Sequence, residues 1–117
     1  MRVQLCSLVA CSLLLAGPAL AAGTEEPDPE LRDEARTLFV AAVQAHDRGA
    51  WGECRAKLVT AWGVLHHWSI AGNLAECEIE LGRFREAAEH AAYAFKQAPA
   101  DRKPRAQALL TLSLIHI

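Results

Sequence analysis

The residues able to do chemistry in this chain of 117 residues are four cysteines, five histidines and its carboxylates, and their spacing limits what that chemistry can be. Glu76, Glu78 and Glu80 lie two apart. On a helix that spacing turns successive carboxylates around the axis and converges no acid–base pair. His66 and His67 are adjacent and point apart, His46 and His90 stand at unrelated positions, and His116 lies at the end of the chain. There is no His-x₃-His or Cys-x₂-Cys spacing to hold zinc, and no glycine-rich phosphate loop. The histidines therefore read as polar helix ends, and no catalytic, cofactor-binding or metal-binding residue is expected. An enzyme or small-ligand carrier is the disfavoured function.

The cysteines divide by compartment. Arg2 is the only charge before Glu25, and an apolar run from Leu5 to Ala16 is followed by Gly17-Pro18 and then Ala19-Leu20-Ala21. A basic head, an apolar segment too short to span a bilayer, and small residues two apart make a cleavable secretory signal over residues 1–21. Leu8-Val9-Ala10-Cys11 has the form of a lipobox. Few apolar residues precede Cys11 and a long apolar stretch follows it, so cleavage after Ala21 is preferred to lipid anchoring. Loss of Arg2 takes Lys+Arg from 12 to 11 against 14 acidic residues, leaving a mature net charge of −3. Such a chain has no footprint for nucleic acid and no basic amphipathic helix for a membrane after signal cleavage. The expected destination is the periplasm, the cell surface or the medium. Cys54 and Cys77 remain, and in an oxidising compartment they either pair or pack as buried thiols.

The elements that must position these residues are helical throughout. Residues 22–30 are polar, carry two prolines and read as a mobile leader. Asp28-Pro29 makes a helix start, and Leu31, Ala35, Leu38, Phe39, Ala42 and Val43 recur at helical spacing up to Gly49. A second helix from Trp51 carries Cys54, Leu58, Ala61, Trp62 and Leu65 and ends near His66-His67. Ser69 is placed to cap a third, with Ile70, Leu74, Cys77 and Leu81 inward and Gly82 as its stop. The fourth runs from Phe84 to about Gln97, with Ala87, Ala88, Ala91, Ala94 and Phe95 inward, and Pro99 closes it. A fifth starts after Asp101 with Pro104 in its first turn. No segment alternates at period two, so the fold is expected to be all-α.

The first two helices echo the next two. Shifted by 33 positions, Gly49 meets Gly82, Trp51 meets Phe84, Ala42 meets Ala75 and Ala61 meets Ala94. Glycine lets the chain reverse, the aromatic two residues later wedges the bend, and the small residue permits close helix approach. Residues 31–99 are thus expected to form two antiparallel helical hairpins, and residues 100–117 to begin a further helix.

Leu74, Ala75, Gly82, Phe84, Ala87, Ala94 and Pro99 resemble the tetratricopeptide pattern, and Gly49, Trp51, Leu58 and Ala61 fit it in the first unit. The stretch CRAKLVTAW…WSIAGNLAECEIELGRFREAAEHAAYAF is similar to exported proteins of myxobacteria and related bacteria, in which such helices precede a β-rich PEGA domain at the cell surface. The resemblance implies a stacked solenoid that docks a protein or peptide, with Cys54 and Cys77 both facing the contact between repeats. A disulfide there would close a loop of about 22 residues and contribute roughly 3 kcal/mol. Trp62 and Trp68 flank the hinge between repeats, either as packing residues or as anchors for a partner peptide. An architectural spacer presenting a C-terminal PEGA-like domain is the alternative function. After Arg105 the chain is uncharged and ends in SLIHI, which resembles the translation of a sequencing adaptor. A gene model stopping early is expected, and with it self-association through an unfinished last helix.

Overall fold

Asp28 opens the first helix as a side-chain cap, its carboxylate accepting the Glu30 N–H at 2.8 Å, while Pro29 takes the first helical position, where no N–H is needed. The computed structural model describes residues 28–117, so the segment expected to be a signal sequence and most of the expected leader lie outside the described residues. Five helices follow: α1 (Pro29–Asp47), α2 (Trp51–Val64), α3 (Trp68–Glu80), α4 (Phe84–Gln97) and α5 (Lys103–Ile115). Among the described residues there is no strand, and the fold is all-α. Each helix packs on the next, and α3 also meets α5.

The bends after α1 and α3 are built alike. Gly49 and Gly82 have φ of 70° and 73°, the left-handed region that glycine enters without a Cβ clash. The N–H of Ala50 reaches the Ala45 carbonyl at 2.9 Å and that of Gly49 reaches His46 at 2.9 Å. Displaced by 33 residues, Arg83 reaches Glu78 at 2.8 Å and Gly82 reaches Ile79 at 3.0 Å. This nested pair of bonds satisfies the last carbonyls of a helix while reversing the chain. The bounds of the helices keep the same shift, α2 starting at Trp51 and ending at Val64, α4 starting at Phe84 and ending at Gln97.

The other two corners are made differently. Leu65 and His67 are extended, and Trp68 opens α3. The sequence places the cap at Ser69; the structure places it at His67, whose Nδ1 accepts both the Ser69 N–H at 3.2 Å and the Ser69 hydroxyl at 2.7 Å. The acceptor belongs one residue before the helix so that it can meet the second helical N–H. Between α4 and α5, Lys103 Nζ donates to the carbonyls of Phe95 at 2.6 Å and Lys96 at 3.2 Å, finishing α4 from the next helix.

The largest core cluster joins α1, α2 and α3 through Ala42, Ala45, Cys54, Leu58, Ala61, Ile70, Leu74 and Cys77. Two smaller clusters centre on alanines, Ala71 with Ala94 and Ala106, and Ala75 with Ala87 and Ala91. Four residues expected inward are exposed instead: Leu31, Val43, Leu81 and Phe95. α1 has 19 residues and its antiparallel partner α2 has 14, so the first turns of α1, with Leu31, overhang. Leu81 lies past the end of α3, and the Phe95 ring is covered on one side by Lys103 Nζ, 5.2 Å from its centroid.

Candidate functional site

Three consecutive residues of α3 tie the molecule together. Glu76, Cys77 and Glu78 step about 100° apart around the helix and therefore meet different neighbours. Cys77 is joined to Cys54 of α2 as a disulfide, with Cα atoms 6.5 Å apart and both residues buried. Glu76 accepts from His46 Nε2 of α1 at 3.0 Å and pairs with the Arg105 guanidinium of α5. Glu78 is fully buried, accepts from His90 Nδ1 of α4 at 2.5 Å, and lies 3.5 Å from Arg55 Nε of α2. One carboxylate thus gathers α1, α3 and α5 on one side, and the other gathers α2, α3 and α4 on the other.

The scatter read from the sequence is real, since the carboxylates do point apart. What sequence reasoning missed is that each finds its partners on other helices. His46 is 30 residues from Glu76, and His90 is 12 from Glu78, separations that no local spacing rule detects. One signal was present. Glu78 stands four residues after Leu74 and beside Cys77, on the apolar stripe of α3, and a carboxylate there requires partners.

Burial pushes the Glu76 carboxyl up, but its bonds to His46 and the charge of Arg105 outweigh this and hold it below the ordinary 4.5. The same hydrogen bond, followed by the opposing effect of burial, leaves the His46 imidazole above its ordinary 6.5. The contribution of His46 to stability is present below 6.5 and is lost as pH rises through its raised folded value. That of Glu76 is present above 4.5 and is lost as pH falls through its depressed value. The pair is complete between those limits. An NMR titration should show the His46 ring protonating at higher pH than a free histidine, and Glu76→Gln should bring it back down. An unmoved His46 titration in that variant would disprove the coupling.

The aromatic residues take defined places. Trp51 meets the His46 ring edge-on at 4.9 Å, and Phe84 stacks on His116 at 4.6 Å. Trp62 stacks on His66 at 4.1 Å and meets Tyr93 and His90 edge-on at 4.8 and 5.5 Å. Trp68 is half-buried, 5.3 Å from the His67 ring, in a crevice of about 40 Å³ with Gly72, Ala98 and Arg102. That volume admits little more than a water molecule.

No protein-family model matches the chain, and no curated protein or solved structure matches it.

Function must therefore be read from the surface itself. Among the described residues, no three histidine, cysteine or acidic side chains come together as a metal site, and no helix is long and apolar enough to cross a membrane. On the side gathered by Glu76, the seam between α1 and α3 is closed at one end by the His46–Glu76 pair. At the other end it opens into a cleft of about 400 Å³. Arg32, Arg36 and Phe39 border it from α1, and His67, Ser69 and Ile70 from the start of α3. Burial pushes the His67 imidazole below its ordinary value, in keeping with its Nδ1 acting as an acceptor.

Proposed function

We propose that the mature chain is a non-catalytic, tetratricopeptide-like interaction module exported to a bacterial cell envelope, which docks a protein partner on the side formed by α1, α3 and α5. The observation that carries this is the repetition of one helix–bend–helix unit at an interval of 33 residues, down to the paired hydrogen bonds at Gly49 and Gly82. Units that bury their apolar faces on successive neighbours leave a continuous outer surface, and such surfaces serve as docking grooves. The cleft between α1 and α3 lies on that surface. The fixed cross-links through Glu76, Cys77 and Glu78 support a scaffold that holds its shape when a partner arrives.

Site-specific photo-crosslinking in the cells that make the protein tests this. A crosslinker at Ser69, beside the cleft, is expected to trap a discrete protein partner. One at Thr60 or Glu89, exposed on α2 and α4, is expected to trap none. Equal capture from both sides, or none from Ser69, would remove the interaction-module function. Fractionation of the same cells should find a chain beginning at Ala22 outside the cytoplasm, and an uncleaved cytoplasmic chain would overturn export.

A further inference from the structure

The geometry points to the His46–Glu76 pair as a pH-sensitive latch: deprotonating His46 loosens α1 from α3, while Arg105 keeps Glu76 and α5 in place. α1 forms one wall of the docking side, so the latch regulates that side, and this consequence rests on the docking function above.

α3 is tied unequally to its neighbours. It packs along α2 and α4 and meets α5, whereas α1 packs along α2. α2 is fastened to α3 covalently, by the Cys54–Cys77 disulfide. The other histidine–carboxylate pair, His90 with Glu78, joins α3 to α4 inside one hairpin. At its C-terminal end α1 reaches across to the other hairpin through His46, a side chain of the type whose charge changes near neutral pH.

Glu76 divides its two oxygens between two helices. Oε1 accepts from His46 Nε2 at 3.0 Å, and Oε2 takes the Arg105 guanidinium. Arg105 also rests against Gly72, one turn earlier on α3, where an added Cβ would lie 3.6 Å from its Nη1. Weakening the His46 bond therefore leaves the carboxylate held from α5. Around His46, Asp47 of its own helix approaches Nδ1 at 3.5 Å, and the Trp51 ring of α2 lies edge-on. Glu53 of α2 is engaged by Arg48 at 2.8 Å. Glu76 is the carboxylate that faces His46 from α3. An imidazolium donates a bond roughly twice as strong as a neutral ring does. The bond to Glu76, against the opposing effect of burial, holds the His46 imidazole above its ordinary 6.5. The latch is thus tight below 6.5 and slackens as pH rises through that raised value.

Amide hydrogen exchange of the full chain tests this, compared at about pH 6 and about pH 9, on either side of the histidine range, and corrected for the unstructured rate at each pH. Protection in the last turn of α1, from Gln44 to Asp47, is expected to fall about fivefold at the higher pH as charge assistance is lost. Protection in α3 and in α5 around Leu109 should hold. His46→Gln, which donates without a charge, should show the lower protection of α1 at both pH values. Circular dichroism checks that its helices persist, and the parent comparison decides the matter if they do not. Unchanged protection at the end of α1, or an equal fall in α3 and α5, would overturn the latch. Should the latch fail while Ser69 still crosslinks a partner, docking stands without this control. A latch that holds while Ser69 traps nothing leaves the pH-sensitive seam and removes the docking function.

Discussion

Replacing Glu78 by alanine is expected to destabilise the chain by about 3 kcal/mol, the low end of the 3–5 kcal/mol range for breaking a buried ion pair. Glu78 is fully buried, while the side chains of Arg55 and His90 keep 26% and 19% of their surface exposed. Those two partners regain some hydration when the carboxylate is gone, which places the cost at the low end. The loss still takes a large fraction of the 5–15 kcal/mol that holds a typical domain together. A urea unfolding curve for Glu78→Ala measures it. Glu78→Gln keeps the shape but brings an amide donor toward Arg55 and His90, so it should recover only part of the stability. Replacing all three residues with apolar ones of similar volume should recover most of it, because no desolvated charge then remains. A Glu78→Ala midpoint within about 0.5 kcal/mol of the parent, the level of an inert surface change, would show that the burial of this carboxylate has been misread.

Opening the Cys54–Cys77 bond is expected to have an effect of similar size. The cysteines are 23 positions apart, and on the chain-entropy model a loop of this length contributes roughly 3 kcal/mol by restricting the unfolded chain. The bond spans the corner at Leu65, His66 and His67, where the chain is not helical and α2 and α3 share no backbone ladder. The cleanest variant is Cys54→Ala with Cys77→Ala, since alanine suits the alanine-rich core and leaves no buried hydroxyl. Its unfolding midpoint should fall to that of the parent under reducing agent. A parent chain whose midpoint is indifferent to reductant would show that the two sulfurs contribute only as packed groups.

The helices were legible because their signals are local. Asp28-Pro29 at the start of α1, the glycines at 49 and 82, and the alanine stripe of α4 each state their structure within a few residues. The inward faces were less well read where a helix outruns its partner, as at Leu31, or where a side chain finds a different cover, as Phe95 does under Lys103. The cap at His67 was missed because Ser69 is the commoner capping residue and the imidazole acceptor is not. The site was least legible. Glu76 and Glu78 meet partners from four other helices, and the cleft at Arg32 and Arg36 arises only once α1 and α3 lie side by side. Long-range pairings of this kind have no periodicity to betray them.

The concentration of cross-links on α3 has a consequence for how the molecule comes apart. A linear array of helical units ordinarily frays from its ends, each unit opening nearly independently of those beyond its neighbour. Here the central helix is bonded covalently to α2 and, through its carboxylates, to α1, α2, α4 and α5. Its amides can meet solvent only when all of these links yield together. Hydrogen exchange should accordingly be slowest along α3 and fastest in the overhanging first turns of α1. Unfolding becomes a single cooperative event, with the ends kept in step by the middle.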